Sequence, residues 1–294
     1  MLGGAVISHL LTLPHAPYHI LALTRNPTSP AALKLSASGV EVTHADLDDA
    51  PSLEAALRNV HAVFLVTDFW SCPSPGASRE IAQAKRVLDI LSRSPSLEHL
   101  IYSSLPSVRE ASQGRYQAVV HFDGKADVVQ WLKETHEGLW GKTTVLWVGT
   151  YMQLWKQFRA IFAPAAKVIE GKEVWVQSSV FHPESRLPLV DVRDVGKAVS
   201  SILGDAEGLK GRTVSLVAPE QVTMKEQLDV WGRLVGKEVA FRHISEEESW
   251  EGIKELGFEE FLAKDVWETG VAFRECEGRL LHGDAVVQVS EVRD

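Results

Sequence analysis

Cysteine, basic charge and long apolar runs are all scarce in this chain. Its 294 residues include two cysteines, Cys72 and Cys276, too few for a disulfide framework or a thiolate zinc site, and such usage suits a reducing compartment. Thirty Lys plus Arg stand against 39 Asp plus Glu, a formal net charge of −9, so no overall field would collect nucleic acid by counterion release. No stretch reaches the roughly 18 uninterrupted apolar residues of a membrane span. The longest candidate, Thr144–Trp155, is broken by Gly149, Thr150 and Gln153. Met1–Pro14 is apolar, but it has no Lys or Arg ahead of the run and no small-residue cleavage site after it, so no secretion is expected. Also missing are a G-x-S-x-G elbow, an H-E-x-x-H pair and any comparable His/Asp cluster for a metal, despite 11 histidines. These gaps leave a soluble, cytoplasmic protein without a metal centre as the expectation.

What is present is ordinary globular composition, 45% hydrophobic and 23% charged, in a length that suits one large α/β unit or a core domain with a smaller attachment. Short apolar runs alternate with helix-length segments through the first two thirds. Tyr18–Leu23, Val40–Thr43, Ala62–Thr67, His99–Ser103 and Thr144–Val148 read as buried parallel strands. Pro30–Ser38, Pro51–Asn59, Ala77–Ser92 and Asp123–His136 carry helical spacing between them. Such β-α-β alternation predicts a doubly wound parallel sheet with right-handed crossovers. After residue 150 the pattern loosens. Leu187–Val192 and Thr213–Val217 read as strands, and Asp194–Leu203 and Thr223–Val235 as helices. Glu246–Leu262 reads as an acidic amphipathic segment, and the stretch from His282 has weak preferences. The division expected is a nucleotide-binding part over residues 1–150 and a smaller α+β substrate part over 151–294 that shares elements with the sheet.

In a doubly wound sheet, ligands bind outside the carboxyl ends of the strands. Leu23-Thr24-Arg25-Asn26-Pro27 puts an Arg where it can pair with a 2′-phosphate, which favours NADP over NAD. Ala45-Asp46-Leu47-Asp48-Asp49 puts carboxylates at the next strand end, where they serve an adenine amino group or cap the following helix. The loops Thr67–Pro73 and Ser103–Ser107 follow two further strands and are expected to face the nicotinamide. Trp70, Trp147 and Trp155 lie at strand ends or in the segment expected to cover it, which suits a flat apolar or aromatic substrate, although Trp147 sits within a strand run and reads as core.

The phrases LALTRNP (Leu21–Pro27), GVEVTHADLDD (Gly39–Asp49), VFLVTDFW (Val63–Trp70), HLIYSSLP (His99–Pro106), HFDGKADV (His121–Val128) and LPLVDVRDVGKAV (Leu187–Val199) resemble, in order, the NmrA-like family. These are atypical members of the short-chain dehydrogenase/reductase superfamily, and the fungal members look nearest. The resemblance implies a Rossmann sheet with a small C-terminal substrate domain and NADP(H) as cofactor. It assigns 2′-phosphate contact to Arg25, adenine contact to Asp46 and Leu47, nicotinamide-ribose contact to Lys125, and pocket walls to Thr67, Phe69 and Tyr151. Phe69, Trp70, Ser104 and Trp155 are the substrate-pocket candidates. Typical members of the superfamily use Tyr-x-x-x-Lys, and here those positions hold His121 and Lys125. Either could supply a proton, since a His titrates near neutrality, at about 6.5 when unperturbed, and hydride chemistry belongs to the nicotinamide.

The expected function is reduction of a carbonyl or conjugated double bond in a small organic, secondary-metabolite-like substrate. The alternative is an NADP(H)-sensing regulator that acts through a protein partner, in the nucleus or the cytoplasm. By the same resemblance Gly3 is the last glycine of the phosphate-binding turn and Ala5 onward the first helix, so the first strand and the earlier glycines are absent. A start codon or exon upstream of Met1 is the expectation. If the short form is genuine, a gap or rearranged pairing in the sheet and weak cofactor affinity are expected.

Overall fold

The computed structural model describes residues 2–15, 17–71, 73–218, 221–276, 279–281 and 283–287. Met1, Cys72, His282 and the residues beyond 287 lie outside them. Among the described residues no helix is long and apolar enough to cross a membrane.

The run of apolar residues at the centre of the sequence becomes the centre of a sheet. In chain order the strands are β1 (Leu21–Thr24), β2 (Glu41–His44), β3 (Ala62–Leu65), β4 (His99–Ser104), β5 (Thr143–Val148), β6 (Thr150–Tyr151), β7 (Ala165–Ile169), β8 (Lys172–Ser179), β9 (Leu189–Val190), β10 (Arg212–Leu216), β11 (Val239–His243) and β12 (Ala285–Val287). Five of them form one sheet in the order β12-β10-β5-β4-β3, with every pair parallel. All six residues of β4 are buried, as expected for a parallel strand covered on both faces.

Alternation along β4 sends its side chains to two cores. Leu100 and Tyr102 join Leu53, Leu88, Leu91 and Leu132, packed under the Ser78–Ser92 and Val120–Thr135 helices. Ile101 instead joins Leu146, Val195, Ile202 and Leu216, together with Leu2 and Val6 of the Leu2–Leu10 helix. Layers of helix on both sides of a parallel sheet follow directly from these two apolar faces.

The sheet is interrupted. β1 and β2 form a separate two-stranded parallel ribbon, in the register Leu21↔Glu41 to Thr24↔His44. β3 ends the five-stranded sheet and pairs with β4 alone. Residues of β1, β3 and the Leu2–Leu10 helix border one cleft of about 1560 Å3.

The later part of the chain contributes β10 and β12 to the main sheet and builds a second sheet around β8, antiparallel to β7 and parallel to β11. β7 and β8 are joined by the two-residue turn Glu170-Gly171. Three expectations are corrected here. The Leu187–Val192 run shortens to the two residues of β9, which pair with β6 outside the main sheet. The first run begins at Leu21, leaving Tyr18 to Ile20 outside a strand. The acidic segment from Glu246 divides into two helices, Glu246–Lys254 and Glu260–Cys276. Between them Gly257 adopts φ +77°, a left-handed conformation that ends a helix at little cost only for glycine.

At the start of β4 the His99 ring bonds Thr144 Oγ1 across the pair at 2.8 Å. Burial, aided by the Lys210 charge, lowers the His99 pKa from 6.5 to about 4. Between those values the unfolded chain binds the proton and the folded chain resists it, so stability falls as pH falls. The contribution is fully present above pH 6.5 and is lost towards pH 4. Urea unfolding at these two pH values is expected to show a larger loss for the wild type than for His99→Gln, which keeps a polar group and cannot titrate. Equal losses would refute the assignment.

Candidate active site

The Val120–Thr135 helix opens with no side-chain cap of its own, yet the first N–H groups of a helix need acceptors. A carboxylate from elsewhere in the chain supplies one, for His121, and a second holds the residue two positions ahead of the helix. Asp265 Oδ2 accepts the His121 N–H at 3.1 Å and Glu268 Oε2 accepts the Ala118 N–H at 2.7 Å. Both acids sit on the Glu260–Cys276 helix, three residues apart and so on one face, and both are buried. The favourable sign of a carboxylate at a helix N-terminus adds to these bonds. Asp123 in the first turn accepts from Ser107 Oγ at 3.0 Å and from the Arg109 N–H at 3.1 Å, and burial raises its pKa. Gly124 allows the helix to lie close against the Pro75–Ala77 turn that leads into the Ser78–Ser92 helix, because a Cβ there would stand 2.7 Å from the Ala77 Cβ.

His121 and Lys125 follow at i and i+4, on one face of this helix. The His121 Nδ1–H donates to Asp265 Oδ1, a carboxylate that is completely buried, whereas the imidazole itself is 12% exposed. Its ring lies among Trp70, Phe122 and Phe69, at centroid distances of 5.1, 4.7 and 5.9 Å. The Lys125 ammonium donates to Glu80 Oε1 at 2.5 Å, to Thr67 Oγ1 at 2.8 Å and to the Thr67 carbonyl at 3.3 Å. Thr67 in turn donates its hydroxyl to Glu80 Oε1 at 2.7 Å. Glu80 is buried, and among the described residues its second oxygen, Oε2, has no hydrogen-bond partner.

Of the other predicted residues, some line the cleft and some flank this cluster, while Ser104, Tyr151 and Trp155 belong to neither. Gly3, Arg25, Asp46 and Leu47 all line the cleft, together with Asp68 and Glu80. Arg25 is exposed at the end of β1. Asp46 Oδ1 accepts the Asp48 N–H at 3.0 Å, an Asx-type turn that leaves its other oxygen available. Asp48 takes a structural role, with Oδ2 accepting from Arg79 at 2.7 Å and from Gln83 at 3.0 Å. Phe69 is buried and Trp70 is 41% exposed, with Phe158 6.2 Å from the Trp70 ring. Ser104 is buried at the end of β4. Tyr151 is half-buried, and burial pushes its phenol up to about 12. Trp155 lies against Trp231 at 6.3 Å, which in turn lies 5.4 Å from Trp175 of β8. Glu80, Asp265 and Glu268 were not anticipated. Glu80 carries only the signal of an acid in a helix's first turn, and Asp265 lies 144 residues from His121, beyond any local pattern.

The profile of the NmrA-like family matches residues 1–274. The chain belongs to the NmrA-like family. This NmrA-like protein is 26% identical over 250 residues to the NmrA-like family domain-containing oxidoreductase cpsB of Aspergillus campestris, covering 81% of this chain and 71% of that protein. Its fold matches the crystal structure of NmrA, a negative transcriptional regulator, in complex with NADP. That match has a TM-score of 0.70 and 20% identity, over 92% of this chain and 78% of that one. A TM-score of 0.70 and 20% identity also relate it to the NADPH-dependent quinone oxidoreductase QOR2 of Escherichia coli in complex with NADPH, over 96% of this chain and 91% of that one. At such identities the structural likenesses speak for the fold.

The Lys125–Glu80 pair is a buried ion pair, so removing one partner strands the other charge. Glu80→Gln or Lys125→Met alone is expected to cost roughly 3–5 kcal/mol in urea unfolding, and the double variant clearly less than the sum. Strict additivity would show that the two side chains do not act as a pair.

Proposed function

We propose that this NmrA-like protein is an NADP(H)-dependent oxidoreductase that reduces a carbonyl or conjugated double bond of a small, flat organic substrate. The observation that carries the proposal is the His121 imidazole and the Lys125 ammonium at one helix face, each held by its own buried carboxylate. A protein that only sensed a nucleotide would need no oriented imidazole among aromatic rings. The oxidoreductase relative cpsB supports the same reading.

The residues fit such a cofactor on two counts. Arg25, exposed at the lip of the cleft, offers a guanidinium to a 2′-phosphate. Glu80 Oε2, a buried acceptor without a partner, offers a site for a hydroxyl of the kind a ribose carries. Arg25 would hold the 2′-phosphate, Asp46 and Leu47 the adenine, Gly3 the approach of backbone to the pyrophosphate, and Lys125, Thr67 and Tyr151 the nicotinamide half. NADPH supplies hydride when bound. Lys125 keeps a positive charge beside the reacting region, fixed by Glu80 and Thr67. His121 moves the proton, and Phe69, Trp70, Ser104 and Trp155 shape the space around the substrate. The split between a nucleotide-binding part over 1–150 and a substrate part over 151–294 belongs to this reading, with β10 and β12 returning to the main sheet.

A second reading is favoured by one observation: the regulator NmrA matches this fold with the same TM-score, 0.70, as the quinone oxidoreductase. In that reading NADP(H) is sensed without turnover and the signal passes to a protein partner.

Calorimetric titration separates cofactor choice from chemistry. Arg25→Ala is expected to weaken NADPH binding at least about tenfold, the equivalent of about 1.4 kcal/mol, and to leave NADH binding within about twofold. Parallel losses for both nucleotides would remove Arg25 from the 2′-phosphate site. A panel of aldehydes, ketones and enones with NADPH then tests the reaction. Turnover that disappears in Lys125→Ala supports the reductase. No turnover on any compound, with nucleotide-dependent change in assembly or partner binding, supports the sensor.

A further inference from the structure

Proton donors need a fixed direction as well as a suitable atom, and only one side of the His121 ring is committed. Nδ1 donates to Asp265 Oδ1, and the same carboxylate's Oδ2 accepts the His121 backbone N–H at 3.1 Å. One buried carboxylate therefore fixes both the backbone and the ring of one residue. Asp265 has no exposed surface, and beyond these contacts Thr269 Oγ1 donates to its backbone carbonyl at 2.7 Å. Nε2 receives no hydrogen bond from any described residue, and the ring keeps an opening to its surroundings beside the exposed Trp70.

We propose that Asp265 is a positioning residue that makes His121 the proton donor of the site, resting on the reductase reading above. The carboxylate confines the neutral ring to the tautomer protonated at Nδ1 and leaves Nε2 as the exchangeable position. The chemistry balances as follows. The substrate carbon gains hydride, and with it two electrons, from the reduced nicotinamide, while the Nε2–H bond of the imidazolium breaks and an O–H bond forms on the substrate oxygen. His121 is left neutral, still donating from Nδ1 to Asp265, and regains its Nε2 proton from solvent. Lys125 takes no part in this transfer, because its ammonium is already spent on Glu80 and Thr67. Glu268 anchors the same helix through the Ala118 N–H and does not touch the imidazole, which makes it the internal control.

The test begins with the whole chain carrying 15N-labelled histidine, the His121 signals being identified by their loss in His121→Gln. In the neutral form, NMR is expected to show a protonated Nδ1 and an unprotonated Nε2. A ring protonated at Nε2 in the wild type would overturn the proposal without recourse to any variant. Asp265→Asn is expected to lose the Nδ1–H preference, while Glu268→Gln, which alters the neighbouring contact at the Ala118 N–H, is expected to keep it. If both variants change the tautomer alike, Asp265 is merely structural and the proposal fails. With a substrate from the panel above, Asp265→Asn and His121→Gln should each lower kcat at least about tenfold with KM within about twofold, and the double variant should be no worse than either single. A wild-type rate that survives His121→Gln would assign the proton to another group. If the wild type turns over nothing, the reductase reading fails by that result, and the tautomer measurement still decides whether Asp265 sets the ring.

Discussion

Everything at the candidate site hangs on how the start of one helix is satisfied. The Val120–Thr135 helix has no N-cap side chain of its own, and its first N–H groups lie in the interior, where an unpaired donor costs about 1–3 kcal/mol. For the His121 N–H the answer is Asp265 of the Glu260–Cys276 helix, a segment from the far end of the chain, while Glu268 of the same helix holds the Ala118 N–H just ahead of the helix start. Because Asp265 accepts from the ring as well as the backbone of His121, satisfying the helix and orienting the imidazole are one and the same contact. Folding of the later part is thereby coupled to the geometry of the earlier one.

A second constraint acts on Lys125. Its ammonium is nearly buried, and a cation in that position requires a carboxylate. Glu80 meets that need from the Ser78–Ser92 helix, and Thr67 completes the set from the end of the adjoining strand segment. Glu80 also lines the cleft that Arg25 and Asp46 border. The H-x-x-x-K pair and the cleft therefore meet through one side chain. The interrupted sheet bears on the same cleft, since its border includes β1 and β3, the strands that face it from the two separate sheets.

Much of the fold was legible in the sequence because burial on two faces leaves a strong local mark. The runs that became β3, β4, β5 and β10 are apolar enough to be read without knowledge of their partners, and Thr223 with Glu226 announced a capping box that the structure contains at the start of a run already read as a helix. Elsewhere the signal was weak for physical reasons. β7 is exposed at all five positions and so carries no burial pattern. β11 is half-exposed, and β12 is only three residues long. In the site, strand-end positions pointed to Arg25, Asp46 and Thr67, and the i, i+4 spacing tied His121 to Lys125. Glu80, Asp265 and Glu268 were hidden, because an acid that faces inward looks, in sequence, like any acid on a solvated helix.

By itself, then, the sequence determined the α/β class, the parallel central strands and the pairing of His121 with Lys125 on one helix face, since hydrophobic periodicity and residue spacing are local properties. Tertiary structure alone decided that β9 pairs with β6 outside the main sheet and that the His121 imidazole and the Lys125 ammonium are each matched to a buried acid. Those outcomes depend on which surfaces meet. A carboxylate 144 residues away from the imidazole it orients acquires that role only when two helices pack together and exclude water from between them.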